Sequence, residues 1–246
     1  MSTTRTIKLN CDMGQGFGAW QMGADKDIMP HIDMANIACG FHAGDPHLIS
    51  KTIDLALQND VMIGAHPGYP DKQGFGQRSF ALSDEEICDI VIYQVGALKA
   101  LCESKNAELS YVKPHGALYR DMMRDKNIFR SMVDAVSCFN LPLMILASPN
   151  NQDYLDLADQ FDVPLLFEAV ADRTYLANGQ LTPDTLPNAI LHSEEAVLNQ
   201  VKQISRYGKV TSADGFILAI EADTLCVNPG HPKAVELINR IREQLR

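Results

Sequence analysis

Short apolar runs alternate with longer segments of helical periodicity along the whole chain, and this alternation limits the folds it can adopt. The stronger strand candidates are Ile7–Asn10, Met34–Ala38, Val61–Ala65, Leu109–Val112, Leu141–Ala147, Pro164–Phe167 and Phe216–Ile220. The weaker candidates are Ala189–Leu191 and Thr224–Val227. Most of these runs are apolar on both faces, which is typical of parallel strands covered by helices. The rhythm predicts an α/β fold with about seven parallel strands, either closed as a barrel or open.

Helix start signals lie between several of the strand candidates. Helices are expected to begin at Pro46, after Ser83, after Ser193 and at Pro232. Asp45 precedes a proline at the first helical position, and Ser83 with Glu86 forms a capping box. Gly208 is expected to end the helix that follows Ser193. These signals support repeated strand–helix units.

The composition bounds the class of protein. The 246 residues fit one domain, 1–246, and carry a net charge of −10 with no Lys/Arg-rich run, which argues against nucleic-acid binding. The six cysteines are irregularly spaced, and residues 1–6 lack the apolar core of a secretory leader. No apolar run approaches the roughly 20 residues that span a bilayer. We therefore expect a cytoplasmic protein that does not bind membranes.

Polar side chains follow successive strand candidates. Parallel strands with short crossovers place their carboxyl ends on one face, where active sites of barrels and open sheets lie. The residues expected on that face are Asn10, Asp12, Asn36, His42, His66, Lys113, His115, Glu168, Asp172 and Arg173. One histidine near a strand end is usually structural, but three after successive strands indicate a functional site.

Two chemistries suit this set of residues. In the first, a carboxylate or histidine activates water for attack on an amide while Lys113 or a histidine stabilises the oxyanion. In the second, His42 and His66 with Asp12 hold a divalent metal such as Zn²⁺ that assists hydrolysis. The chain has no G-x-x-x-x-G-K-[ST] phosphate loop and no G-x-S-x-G elbow. Gly14–Gly18 does not match a dinucleotide-binding fingerprint.

Several motifs resemble those of the LamB/YcsF family over essentially the whole chain. They are Asn10–Gly14, Asn36–Pro46, Gly64–Asp71, Gly74–Gly76, Tyr93–Leu98, Val112–Tyr119, Glu168 with Ala171–Tyr175, and Asp223–Val227. The stretches around His42 and His115 are the most specific. The resemblance implies a distorted (β/α) TIM-like barrel of about seven strands, similar to the glycoside hydrolase/deacetylase superfamily.

The resemblance also implies an activity and partners. The activity is ATP-dependent cleavage of 5-oxoproline, a small cyclic amide, to L-glutamate, together with 5-oxoprolinase subunits B and C. The missing phosphate loop agrees with ATP being handled by those partner subunits. The family's pattern has Glu at Gln15, Arg at Gln77, and His-Gly-Asp where this chain has Asn228-Pro229-Gly230, with His231 one step later. These departures bear on the choice of lactam.

The leading hypothesis gives each residue a role. Asp12, Lys113, His115 and Glu168 are the expected catalytic residues: Asp12 or Glu168 as general base, Lys113 and His115 polarising the amide oxygen. The expected substrate-binding residues are Asn10, Asn36, His42, His66, Asp172, Arg173 and Tyr175, with Arg173 pairing with the substrate carboxylate. Two alternatives stay open: a metal-dependent deacetylase of sugar amides, and a diverged, non-catalytic lactam-binding subunit.

Overall fold

The computed structural model describes residues 7–20, 22–230 and 233–245. His231 and Pro232, where we expected the last helix to begin, lie outside the described residues. The strands are β1 Lys8–Met13, β2 Met34–Ala38, β3 Met62–His66, β4 Leu109–Val112, β5 Leu143–Leu146, β6 Leu165–Val170, β7 Lys209–Thr211, β8 Ile217–Ala219 and β9 Thr224–Cys226. The α-helices are α1 Asp25–Ile28, α2 Pro46–Gln58, α3 Asp84–Glu103, α4 Gly116–Met122, α5 Lys126–Ser137, α6 Asn151–Ala158, α7 Glu194–Tyr207 and α8 Ala234–Leu245, with 3₁₀ turns at Met29–His31 and Asp159–Phe161.

Seven parallel strands close into a barrel in the order β1-β2-β3-β4-β5-β6-β9, with β9 pairing with both β6 and β1. This confirms the expected TIM-like barrel of about seven strands. The capping signals are also confirmed. Asp45 accepts hydrogen bonds from two backbone N–H groups of α2, the Ser83 capping box forms, and Gly208 ends α7 in the left-handed conformation.

The seventh barrel strand is not the one that the apolar pattern favoured. The weaker candidate Thr224–Val227 contributes β9, whereas Phe216–Ile220 contributes β8, which pairs antiparallel with β7 outside the barrel. Both residues at the start of that run, Phe216 and Ile217, are exposed. Hydrophobicity alone does not separate a buried strand from an exposed hairpin of the same length. The other weak candidate, Ala189–Leu191, forms only a single bridge, between Ile190 and Arg173.

The barrel interior changes from apolar to polar along its axis. Every second side chain of a strand points inward. Met34, Tyr111 and Met144 form a small buried cluster that is separate from the main core between strands and helices. Beyond it, toward the carboxyl ends of the strands, the buried inward side chains include Asn10 and Asn36. The strands therefore deliver polar groups to one end of a closed barrel. No helix among the described residues has both the length and the apolar character needed to cross a bilayer.

Candidate active site

A cavity of about 260 Å³ opens at the carboxyl ends of the barrel strands. Among the residues that line it are seven of the predicted site residues: Asp12, His66, Lys113, His115, Glu168, Asp172 and Arg173. A larger cavity of about 680 Å³ lies over α2 and the loop after β1, but none of the predicted residues line it. The chemistry therefore points to the smaller cavity.

Lys113 is the centre of a buried polar network. It directly follows β4, and its ammonium lies 3.0 Å from Glu168 Oε2 and 3.4 Å from Asp12 Oδ1. It also donates to Asn10 Oδ1 at 3.2 Å. Burial by itself would lower the pKa of Lys113, but the surrounding acidic groups, Asp12 first among them, outweigh burial and raise that pKa well above its ordinary value. Lys113 therefore stays protonated.

The two carboxylates beside Lys113 differ in exposure and hence in use. The Glu168 side chain is 1% exposed, whereas the Asp12 side chain is 21% exposed to the cavity. Burial alone would raise the pKa of Asp12, yet His66 and Lys113 outweigh it and hold that pKa well below its ordinary value. Asp12 is thus an ionised carboxylate within reach of a ligand, while Glu168 mainly neutralises Lys113.

A chain of amides fixes these charged groups in place. Asn36 Nδ2 donates to Asn10 Oδ1 and to Asp12 Oδ1, each at 2.8 Å. Asn10 Nδ2 in turn donates to Glu168 Oε2 at 3.2 Å, and the Tyr111 hydroxyl donates to Asn36 Oδ1 at 2.7 Å. Asn10 and Asn36, predicted to bind substrate, contact the buried charges instead. The two amides orient the carboxylates, and neither lines the cavity.

His66 and His115 lie side by side, and one ring nitrogen of each is directed at the other ring. His66 Nδ1 lies 2.7 Å from the Lys113 carbonyl oxygen, and His115 Nε2 lies 2.9 Å from the Phe75 carbonyl oxygen, so each of these nitrogens carries a proton. The remaining nitrogens, His66 Nε2 and His115 Nδ1, are 2.9 Å apart. In neutral rings both would present lone pairs, which repel. A proton or a metal ion between them would remove that repulsion, and Asp12 Oδ2, 3.3 Å from His66 Nε2, favours either.

His42 completes a group of three histidines. Its ring stacks on that of His115, with centroids 3.8 Å apart, and neither of its buried nitrogens finds a hydrogen-bond partner among the described residues. Burial is the main cause that lowers the pKa of His42 well below its ordinary value, and burial likewise lowers the pKa of His115 to about 3. One ligand nitrogen from each of His42, His66 and His115 lies within 4.8 Å of the others. The compact donor set therefore includes His115, whereas the predicted metal set paired His42 and His66 with Asp12.

The segment after β3 covers these histidines. Asp71 is buried, accepts hydrogen bonds from Gly74 N–H and Arg78 N–H, and forms an ion pair with the Arg78 side chain. The loop held in this way supplies the Phe75 carbonyl oxygen to His115. Gly76 has φ +67°, and a Cβ there would come within 2.6 Å of the His115 ring. Only glycine allows the backbone to pass so close to the imidazole.

The last predicted residues have mixed positions. Asp172 is buried and lines the cavity. Arg173 also lines it, but its guanidinium forms an ion pair with Asp184 and donates to the carbonyl oxygens of Thr182 and Ala189. Tyr175 does not line the cavity, and its hydroxyl accepts the Val170 N–H at 2.8 Å. Its role in the described structure is to support the end of β6.

The cavity is also lined by residues to which the sequence patterns assigned no role. Tyr119 and Arg120 lie on α4, and Cys226 ends β9. Tyr119 is the last residue of the motif Val112–Tyr119, and that motif is its signal in the sequence. Burial, followed by the nearby Glu168, raises the pKa of Tyr119 well above its ordinary value, so its phenol remains a donor. The departures at Gln15, Gln77 and Asn228-Pro229 line the cavity as well.

Comparison with known proteins agrees with this architecture. The pattern of the LamB/YcsF family matches residues 7–246. A protein of Vibrio cholerae serotype O1, named as the A subunit of 5-oxoprolinase, is 73% identical over 241 residues, covering 98% of each chain. The crystal structure of a lactam utilization protein from Thermus thermophilus is 39% identical, covers 98% of this chain and 96% of that chain, and superposes with a TM-score of 0.89.

A more distant likeness concerns the fold alone. A GH113 β-1,4-mannanase of 12% identity covers 97% of each chain with a TM-score of 0.53, which agrees with the expected glycoside-hydrolase-like barrel. The sequence match is much stronger evidence than this likeness in fold, because one family pattern extends from the first described strand to the last residue. The chain belongs to the LamB/YcsF family.

Proposed function

We propose that this chain is the lactam-opening subunit of a 5-oxoprolinase, a hydrolase that cleaves the cyclic amide of 5-oxoproline to give L-glutamate. The observation that carries the proposal is the meeting of Asp12, Lys113 and His66 at one cavity, which supports attack on a small polar amide. The cavity volume of about 260 Å³ suits a single five-membered ring with its substituent. The 73% identical relative, which is named as part of a 5-oxoprolinase, supports the same reaction.

The reaction divides among the groups at the cavity. A water oxygen adds to the amide carbon, the ring C–N bond breaks, and the ring nitrogen gains a proton to become the amine of glutamate. Asp12, ionised and facing the cavity, accepts the proton of the attacking water and returns it to the nitrogen. The Lys113 ammonium stabilises the negative charge that forms on the amide oxygen. His115, which was expected to share this role, has both ring nitrogens engaged, one by the Phe75 carbonyl oxygen and one by His66. Glu168 and Asn10 hold Lys113 at that position.

ATP and further subunits belong to the proposal. A lactam is a weak electrophile. Transfer of the γ-phosphoryl group of ATP to the lactam oxygen, with release of ADP, would activate the ring carbon toward water, and the later release of that group as phosphate would drive the opening. We propose that partner subunits B and C handle ATP; the word "subunit" in the relative's name says only that the relative is part of an assembly. A cytoplasmic location fits the six free cysteines, which a reducing compartment preserves.

The decisive assay combines this chain with subunits B and C and follows glutamate and ADP formation from 5-oxoproline and ATP. We expect equimolar glutamate and ADP, with no glutamate when this chain is omitted. Asp12→Asn should lower glutamate formation about 100-fold or more, because a general base typically contributes that much. Binding of 5-oxoproline by a complete complex that forms no glutamate would instead support the non-catalytic, lactam-binding alternative.

The histidine group favours a second candidate, a metal-dependent deacetylase of sugar amides. Three ring nitrogens lie close together, and backbone carbonyls accept from the outer nitrogens of His66 and His115, as is usual for histidines that bind metals. The His42 ring stacks on the His115 ring and would have to turn before both could direct a lone pair at one ion. His42, His66 and His115 would hold the ion next to Asp12. When bound, such an ion supplies Lewis-acid chemistry that polarises a carbonyl and activates water.

Metal content tests this site directly. We expect the purified chain to contain about one equivalent of Zn²⁺ or a similar ion by elemental analysis. His66→Ala and His115→Ala should lose it, because each removes a donor, while His47→Ala, at an exposed position, should retain it. Equal metal content in all three variants would remove the site. Hydrolysis of acetylated sugars by the metal-loaded chain alone would favour the deacetylase.

A further inference from the structure

In the part of the chain that the structure describes, three strongly basic side chains line the cavity, and they differ in what neutralises them. Lys113 lies beside Glu168 and Asp12, and Arg173 forms an ion pair with Asp184. Arg120 has no carboxylate oxygen within 4 Å of its guanidinium among the described residues. Its side chain instead contacts the neutral oxygens of one glutamine.

That glutamine, Gln77, accepts from only two of the N–H donors of the Arg120 guanidinium. Arg120 Nη1 donates to Gln77 Oε1 at 2.7 Å and Nη2 donates to the Gln77 carbonyl oxygen at 3.0 Å. A guanidinium has five N–H donors, so three remain without an acceptor in the described part of the chain. Burial is the main cause that lowers the pKa of Arg120, and it outweighs the opposing effect of the more distant Asp184 and Asp121. A partly buried cation in these surroundings gains from an incoming anion.

The location of Arg120 directs such an anion toward the reacting groups. Arg120 lies on α4, whose N-cap is His115, so the helix projects it from the same wall of the cavity. Gln77 lies between the two: its Oε1 accepts from Arg120, and its Nε2 lies 3.4 Å from His115 Nε2. An anionic group bound at Arg120 would hold the remainder of a small molecule next to His115 and Lys113.

We propose that Arg120 binds the carboxylate of the substrate and so selects lactams that carry one. This assignment rests on the proposed function and replaces the role expected for Arg173, whose fork is already engaged by Asp184 and two carbonyl oxygens. The ligand class is a five-membered lactam with a carboxylate on the carbon next to the ring nitrogen. Bidentate binding of that carboxylate would fix which face of the amide meets Asp12.

Two lactams that differ only in the carboxylate test the assignment: 5-oxoproline and 2-pyrrolidinone. Calorimetric binding to the complete complex should favour 5-oxoproline in the wild type. Arg120→Gln should weaken 5-oxoproline binding about 10- to 100-fold, as expected for loss of a charge-assisted hydrogen bond, and should leave 2-pyrrolidinone binding unchanged. In turnover, KM for 5-oxoproline should rise far more than kcat falls. Arg120→Lys should recover part of the affinity, because it keeps the charge but not the fork.

The matched comparison is Arg173→Gln, which removes a guanidinium from the same cavity. We expect it to affect both lactams alike, through the segment that it holds. Equal 5-oxoproline affinity in wild type and Arg120→Gln, or a selective loss in Arg173→Gln, overturns the assignment while ring opening stands. A wild-type complex that forms no glutamate overturns the proposed function itself, and the assignment falls with it.

Discussion

Replacement of Lys113 by methionine is expected to lower lactam opening by about 100- to 1,000-fold, because it removes the donor that stabilises the oxyanion. The same change should destabilise the fold by about 3–5 kcal/mol, since it leaves the buried Glu168, with Asp12 beside it, without a counter-charge. Urea denaturation gives the free energy of unfolding, and the ATP-coupled assay gives turnover. The free energy of unfolding of a native protein is typically about 5–15 kcal/mol, so this loss would be a large part of it.

A second variant separates the two effects. Lys113→Met combined with Glu168→Gln removes the unpaired carboxylate, so stability should largely return while turnover stays low. The matched control is Lys105→Met: the Lys105 ammonium lies only 2.7 Å from Asp54 Oδ1, but the two side chains are 21% and 48% exposed. That pair should contribute about 1 kcal/mol or less. Full activity in the double variant would contradict the assigned role of Lys113.

Substitution of Gly64 by alanine should destabilise the barrel by about 3 kcal/mol or more, at the upper end of overpacking effects. A Cβ at this position of β3 would lie 2.1 Å from Cε2 and 2.2 Å from Cζ of Tyr111. The Tyr111 ring is fully buried, and its hydroxyl is hydrogen-bonded to Asn36, so it has little room to move. The β3–β4 register shifts between Ile63 and Gly64, which agrees with the ring lying across this position.

Urea denaturation gives the free energy of unfolding of Gly64→Ala, and the matched control is a glycine with open space around it. Gly96 lies within α3, and a methyl group added to it would meet nothing within 4 Å, so Gly96→Ala should stabilise the chain by up to about 1 kcal/mol. Shortening Tyr111 to leucine in the Gly64→Ala background should recover part of the loss, which a double-mutant cycle would register as coupling. Equal stability of Gly64→Ala and wild type would contradict the packing described for the interior.

The architecture was accessible from the sequence because its signals are local. Apolar runs such as Met34–Ala38 and Leu109–Val112 coincide with β2 and β4 at both ends, and the Ser83 capping box opens α3 as expected. The apolar pattern favoured Phe216–Ile220 as a barrel strand, but Thr224–Cys226 occupies that place in the barrel. Membership in the barrel depends on strand pairing between distant segments, and an apolar run does not encode it.

The site was predictable only in outline. The polar ends of parallel strands indicated Asp12, His66 and Lys113, because topology alone brings such ends together. Sequence could not show that Arg173 is engaged by Asp184, since the two are joined by the course of a long loop. Nor could it indicate Arg120, whose partner Gln77 lies 43 positions away in another loop.

The ion pair at the barrel centre also constrains how this lineage can change. Lys113 and Glu168 contribute both to the stability of the fold and to the reaction, so substitution of either one alone would destabilise the protein. A descendant that abandons catalysis would first need a concerted exchange of both for a neutral pair of similar volume. Retention of the two charges in a gene copy is therefore weak proof of activity, whereas their joint replacement would be a dependable mark of its loss.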